Sequence, residues 1–378
     1  MKRYVGEKVR YMCEHTRGDE HVLIIPGERD ECTGDERARV YTIASPLISR
    51  TSRYRVMLRL EAIERILEKE RPDLIESGDP YQVAWKAVHS GSALGIPVVG
   101  FYHSHFPEAY LRTVGKYLGN TVMEAFLDFS RRYIRSLYNR FSRTIVPSPA
   151  LCALLEEWGV ANTFHSDLGV DTSVFHPDGI GAETVRHDLG VPVGRVLLLY
   201  VGRLAQEKNT HTLFGAFRRL SWREPGRYHL LVIGDGLQRA ELRELQAETQ
   251  PATVTHIPYC SDSRQLADYY RAADLFVHPG VQETFGLVTL ESQSCGTPVI
   301  GIRGSYMDRI IHNDQELWAQ DNSAESLAAA ISETAHAGFK SGGQTLHRRI
   351  AERYSWDQIF ARLFELYREV IAEGPRYR

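Results

Sequence analysis

Short apolar runs recur along the whole chain: HVLIIP (21–26), IPVVGFY (96–102), RTIVPS (143–148), RVLLLYVG (195–202), YHLLVIGDG (228–236), ATVTHIP (252–258), ADLFVHPG (273–280) and TPVIGI (297–302). Longer stretches with apolar residues every three or four positions separate them. Unbroken apolar runs of this length suit strands buried on both faces, and the intervening period suits helices that cover them. The expected fold class is therefore α/β with parallel sheets. A chain of 378 residues exceeds one ordinary core, so two domains are expected, with a ligand site in the cleft between them.

Local signals place the boundaries. Residues 166–181, SDLGVDTSVFHPDGIG, mix Gly, Asp, Ser and Pro without periodicity and read as the connection. This divides the chain into an N-terminal domain (1–165), a linker (166–181), a C-terminal domain (182–354) and a last helix (355–378). In the first half, helices are expected over Met57–Glu70 and Ala109–Phe141, and Ser148-Pro149 reads as an N-cap followed by proline at the first helical position. The second half supplies five strands. Ser355 with Gln358 has capping-box spacing, and the helix it opens should end near Gly374. The chain opens on Tyr4, Val5, Val9 and Met12 at helical spacing, so its first element reads as a helix, where an α/β domain of this kind would open on a buried strand.

Composition excludes several functions. The net charge of -3 gives no general attraction to nucleic acid. Five scattered cysteines without a CxxC pair fit neither a disulfide framework nor a zinc site and point to a reducing cytosol. The start, MKRYVGEKVRYMCEHTR, lacks an apolar signal region, and no run approaches the roughly 18 apolar residues that span a bilayer. Neither GxxxxGK[ST] nor GxSxG occurs, and GDG at 234–236 lacks the remaining glycine of a dinucleotide fingerprint. Residues 111–143 carry Arg112, Lys116, Arg131, Arg132, Arg135, Arg140 and Arg143 against Glu124 and Asp128. Such a run is a solvated face or a surface for anionic lipid or a phosphorylated acceptor.

The stretch ETFGLVTLES holds Glu283 and Glu291 with seven residues between them. On one continuous helix their carboxylates would lie about 12 Å apart along the axis and about 80° apart around it, unable to share a proton or a metal. Gly286 and the preceding His278-Pro279-Gly280 instead suggest a loop, with a helix from Leu287 to Cys295. The amides at that helix start would bind phosphate oxygens, and a carboxylate at each end would meet hydroxyls. A nucleotide sugar has this shape; two surface charges on a strand–helix turn are the equal alternative.

Two further clusters follow strands. In YVGRLAQEKN (200–209), Arg203 and Lys208 stand in the loop after a strand, where open α/β sheets bind ligands, and could neutralise a diphosphate as it departs. Taken alone, two solvated loop charges explain them better. In GFYHSHFPEAY (100–110), His103 follows a strand of the first domain and could reach across a cleft to a reacting sugar, or simply satisfy a carbonyl. His103 and His105 lack a third metal ligand nearby.

VGRLAQEKN, IPYCSDSRQLADYYRAADLFVHPG and ETFGLVTLES followed by CGTPVIG resemble the C-terminal domain of the retaining GT-B glycosyltransferases, which use donors such as GDP-mannose or UDP-glucose. LGVDTSVFHP and FYHSHFPEAY resemble that family's linker and its N-terminal histidine segment. The resemblance implies two Rossmann-like α/β domains facing across a cleft, the last helix packing back on the first domain. It also implies that Arg203 and Lys208 hold the diphosphate, Glu283 the sugar hydroxyls and Glu291 the ribose. Phe285, Gly286 and Leu287 would line the phosphates, Tyr259 would lie near the base, and His103 would approach the sugar. No metal and no cofactor are implied beyond the nucleotide diphosphate sugar, GDP- or UDP-linked. The expected reaction moves a hexose, mannose or glucose favoured, to a lipid- or saccharide-linked acceptor, in the cytosol or at the inner face of a membrane.

The resemblance implies a first strand and a Gly-rich loop ahead of this start, so either the true start is expected upstream or the chain is expected to be a shortened, inactive form. Two alternatives accompany the leading reading: a sugar-nucleotide epimerase of related fold, and a nucleotide-sugar-binding protein without turnover.

Overall fold

The computed structural model describes residues 2–49, 54–103, 120–249, 253–281, 285–305, 307–313, 318–338 and 342–376. The chain forms two compact units, one of Met1–Asp167 with Ile359–Arg378, the other of Leu168–Gln358.

In the first unit α1 (Lys2–His15) precedes β1 (His21–Gly27), β2 (Glu31–Gly34), β3 (Ala38–Ala44), β4 (Leu47–Ser49) and β5 (Tyr54–Arg55). β1 and β3 are parallel, β2 joins β3 antiparallel, and β4 and β5 form a separate antiparallel ribbon. There follow α2 (Leu60–Glu70), β6 (Ile75–Ser77), α3 (Gln82–Leu94), β7 (Val98–Phe101), α4 (Asn120–Tyr138), β8 (Arg143–Val146), α5 (Pro149–Glu157) and β9 (Thr163–His165). β6 to β9 make a parallel sheet in sequence order. Its core joins Val98 and Val146 to Ile63 and Leu67 of α2 and to Ile134 and Leu137 of α4.

Several local expectations hold here. The chain begins helical, Ser148 accepts a hydrogen bond from the Leu151 amide ahead of Pro149, and α2 stops before Pro72. Others are corrected. The three expected strands are joined by β2 to β6 and β9, and α2 starts at Leu60, not Met57. These added strands are two to seven residues long, and the shortest are too brief to show a period. The first eleven residues of the helix expected over Ala109–Phe141, and residues 104–108 before them, lie outside the described residues.

A buried polar cluster closes this unit. The Lys8 ammonium donates to Glu76 at 2.9 Å and to the Tyr367 hydroxyl at 3.4 Å, and the Tyr367 hydroxyl donates to the same Glu76 oxygen. Burial pushes the Glu76 carboxyl up, but the Lys8 charge and the Tyr367 hydrogen bond outweigh it and hold the group below its ordinary range. Burial, with help from Lys8, lowers His21 to about 4.

The second unit runs α6 (Ala182–Asp188), β10 (Val196–Val201), a 3-10 turn (Gln206–Lys208), α7 (Thr210–Arg223), β11 (Tyr228–Ile233), α8 (Arg239–Glu248), β12 (Val254–Ile257), α9 (Ser263–Ala272) and β13 (Leu275–Val277). It continues with α10 (Leu287–Ser294), β14 (Val299–Ile302), β15 (Trp318–Ala319), α11 (Ala324–Ala337) and α12 (Gly343–Tyr354). The last helix, α13 (Trp356–Glu373), starts in this unit and from Ile359 onward belongs to the first. Ser355 caps it through the Gln358 amide, and Gly374 ends it at φ 73°.

All pairings in this sheet are parallel, in the order β12-β11-β10-β13-β14-β15. β15 is a sixth strand beyond the five expected; at two residues it carries no pattern of its own. Alternation along β10 divides the core: Leu197 and Leu199 pack on the face of α9 and α10, Leu198 and Tyr200 on that of α7 and α11.

The stretch expected as a plain connection is structured at its second-unit end. Val170 donates to the Tyr354 carbonyl at 2.8 Å and accepts from the Trp356 amide at 3.3 Å. Phe175 is fully buried beside Tyr270. Val170 and Phe175 dock the segment onto the unit's core.

Candidate functional site

The second sheet grows from β10 in two directions, through β11 to β12 on one side and through β13 to β15 on the other. The loops at the carboxyl ends of β10 and β13 therefore diverge, leaving the crevice where open α/β sheets hold ligands. Arg203 and Lys208 lie in the loop after β10; His278-Pro279-Gly280 and then Phe285 to Leu287 lie in the loop after β13.

One side chain ties these loops together. Asn209 donates from Nδ2 to the Pro279 carbonyl at 2.8 Å and to Asn322 Oδ1 at 2.6 Å, and its Oδ1 accepts from the Thr212 hydroxyl at 2.9 Å. The two sequence motifs, some seventy positions apart, thus meet at one edge. Arg203 is 73% exposed and ion-paired with Glu207 at 3.0 Å. A diphosphate would compete with Glu207 for its guanidinium.

Gly286 stands before α10 with φ 80°, a left-handed conformation glycine adopts at little cost. Phe285 is buried against Tyr354, with the Arg309 guanidinium 5.1 Å over its ring. Leu287 is half-buried and opens the helix, whose first amides have no partner four residues back within it. Behind the turn, Gln293 donates to the Ile310 carbonyl at 2.7 Å and accepts from the His312 amide at 2.6 Å, fixing α10 to the loop after β14.

A side chain at 286 would be strained by that φ, and its Cβ would come within 2.6 Å of the Met307 sulfur. Gly286→Ala is expected to lower stability by about 1–2 kcal/mol. A urea midpoint equal to that of the wild type would contradict the strained turn.

Glu291 is 2% exposed, and one of its oxygens accepts from the Tyr270 hydroxyl at 3.0 Å. The alternative of two solvated surface charges therefore fails for this residue. Its partner in the motif, Glu283, lies outside the described residues. Tyr259 follows the edge strand β12, three strands from β13, and is 79% exposed.

His103 belongs to the first unit, after β7. Its Nε2 lies 2.7 Å from the Gly78 carbonyl, which can only accept, so that nitrogen carries a proton. Burial lowers its pKa, and the Gly78 bond partly restores it. This geometry matches the carbonyl-satisfying role. Ser104, His105, Arg112 and Lys116 lie outside the described residues. Asn209, Thr212 and Gln293 were missed from sequence; an Asn ending a short polar turn, apt for the left-handed region, was the signal for the first.

Comparisons with known proteins bear on both units. Residues 1–174 match the model of Glycosyltransferase Family 4, and residues 182–352 that of Glycosyl transferases group 1. The chain is 31% identical over 356 residues to the GDP-mannose-dependent alpha-(1-6)-phosphatidylinositol dimannoside mannosyltransferase of Mycobacterium tuberculosis, covering 91% of this chain and 86% of the relative. It is 27% identical over 397 residues to a GDP-mannose-dependent alpha-mannosyltransferase of Corynebacterium glutamicum, covering 98% and 87%. Among solved structures, sucrose-phosphate synthase from Thermosynechococcus elongatus aligns with a TM-score of 0.75 at 22% identity, over 98% of this chain and 93% of that one, a likeness of fold. The fold is the two-domain α/β architecture called GT-B. The chain belongs to the GT-B glycosyltransferases.

Proposed function

We propose that this glycosyltransferase moves mannose from GDP-mannose, with retention of configuration and without a metal, to a lipid- or saccharide-linked acceptor. The observation that carries the reading is the Asn209–Pro279 bond, which joins the loop bearing both cations to the loop that leads into α10. The GDP-mannose dependence in the names of both relatives supports the donor, and the phosphatidylinositol dimannoside in one of them supports a lipid-linked acceptor.

In this proposal the diphosphate lies over the start of α10. As the glycosidic bond breaks, the departing phosphate gains charge, and Arg203 and Lys208 stabilise that charge more in the transition state than in the bound donor. Glu283 holds the sugar hydroxyls, Glu291 the ribose, Tyr259 the region of the base, and His103 meets the reacting sugar. Attack and departure on one face of the sugar would retain configuration. No helix among the described residues is long and apolar enough to cross a membrane; in this proposal a lipid acceptor is met at the inner face of the membrane.

The test incubates the protein with GDP-mannose, UDP-glucose or ADP-glucose, with and without phosphatidylinositol mannosides or short mannosides, and follows free nucleotide and glycosylated product. GDP release that depends on acceptor, with an α-linked mannosyl product, is expected. Epimerised nucleotide sugar, or nucleotide binding that raises the melting temperature without turnover, would replace the proposal by one of those activities.

A further inference from the structure

We infer that Asn209 is a positioning residue for the donor site, a clamp that sets the spacing between the cation-bearing loop after β10 and the helix-bearing loop after β13. The inference rests on the donor reading above and extends it to a residue that touches no substrate.

The backbone comes first. Asn209 ends the 3-10 turn Gln206–Lys208 and starts α7, and does so at φ 57°, ψ 31°. Among residues with a side chain, asparagine enters this left-handed region most readily. That conformation turns the chain immediately after Lys208, and the Asn209 amide closes the turn on the Gln206 carbonyl at 3.0 Å. The direction in which Lys208 leaves the loop is thus set at Asn209.

The side chain comes second. A carboxamide has two N–H donors and one acceptor oxygen, and here each kind is engaged. The Pro279 carbonyl can only accept, so the nitrogen must face it; the remaining donor reaches Asn322 ahead of α11, and the oxygen takes the Thr212 hydroxyl in the first turn of α7. Three segments at the carboxyl edge are joined through one planar group: the turn with Lys208, the Pro279 loop, and the β15–α11 connection. Arg203 does not do this: it is exposed and ion-paired with its neighbour Glu207.

Two substitutions separate backbone from clamp. Asn209→Gly keeps the left-handed turn at no steric cost and removes all three side-chain bonds. Asn209→Asp keeps the shape and the Thr212 bond, but its carboxylate cannot donate to Pro279 or Asn322. GDP binding would be measured by calorimetry at two salt concentrations, together with donor KM, kcat and melting temperature, with UDP in parallel. Both variants are expected to bind GDP about tenfold more weakly and to raise donor KM accordingly, with kcat changed less than about threefold. Asn209→Gly should melt close to the wild type; should it not fold, Asn209→Asp carries the test.

If both variants bind the nucleotide as the wild type does while Lys208→Ala binds it more weakly, the clamp is wrong and the donor site stands. If Lys208→Ala also binds as the wild type does, or the wild type binds neither GDP nor UDP, the donor reading fails and the clamp with it. A fall in kcat with KM unchanged would likewise overturn positioning of the donor.

Discussion

Arg203→Ala and Lys208→Ala are each expected to lower transfer from GDP-mannose by about a hundredfold or more while leaving the melting temperature nearly unchanged. The two halves of this expectation have different physical sources. In the free protein the Arg203 guanidinium is largely in water and its ion pair with Glu207 joins two residues four apart in an exposed loop. Exposed pairs of this kind contribute little to stability. With a diphosphate in place the same guanidinium would face charge that increases as the sugar departs, in a site from which water is partly displaced. Its removal then acts on the transition state and should appear in kcat. The double variant should lose less than the product of the two single losses, because both cations serve one leaving group. Glu207→Ala supplies a control, since it frees Arg203 and should tighten GDP binding at low salt. Turnover at the wild-type rate in both single variants would remove the diphosphate role from this loop.

Glu76→Ala is expected to destabilise the first unit by about 3–5 kcal/mol, because it leaves the Lys8 ammonium buried without its counter-charge. The side chains concerned are 6% exposed for Lys8 and 18% for Glu76, so solvent screens the pair only weakly. Tyr367 loses its acceptor in the same substitution. Replacing both charges, Lys8→Met with Glu76→Leu, should restore most of the loss, since desolvation of the two ions disappears along with their attraction. Urea unfolding followed by peptide-resolved hydrogen exchange in residues 2–15 and 75–77 would check this. A single variant within about 1 kcal/mol of the wild type would show the pair to be of no consequence.

Acidity supplies a further arm to the same experiment. The folded Glu76 carboxyl titrates below its ordinary range, so its contribution is complete above the unfolded value and is lost as pH falls through the lower folded one. His21, lowered to about 4, acts in the same direction: its neutral form is favoured by the fold, and stability is lost as pH falls from the ordinary histidine range toward that value. The gap between wild type and Glu76→Ala should therefore narrow in acid.

How much of this was legible in the sequence depends on the length of each signal. Strands such as VLLLYV and YHLLVI are long, unbroken and buried, and they stand where the apolar runs placed them. Caps announced themselves too, because Ser148-Pro149 and Ser355 with Gln358 are local chemistry. Strands of two or three residues, β4, β5, β6, β9, β13 and β15, divide sharply. β13 was found because HPG follows it, whereas β15 pairs through two residues only and has no flanking signature.

At the site, Gly286 and His278-Pro279-Gly280 indicated the turn and the start of α10, but not that Glu291 would be buried against Tyr270, a partner 21 positions away. The same holds for Asn209. Its partners, Pro279 and Asn322, are 70 and 113 positions distant, and only the parallel order of the sheet brings them to one place. His103 shows the opposite case: two roles were open, and the contact with Gly78, 25 positions earlier, favours the plainer one in the free protein.

The first unit is made of two separate pieces of chain, and this has a consequence for how the protein is born. Tyr367 reaches Glu76 across 291 positions and Lys8 across 359. At roughly 5–20 residues per second on the ribosome, the strand carrying Glu76 waits on the order of tens of seconds before the residue that covers it emerges. The second unit is continuous from Leu168 to Gln358 and can close while that wait lasts. Synthesis runs from the amino end, yet completion runs the other way: the half of the molecule made first is the last to be sealed.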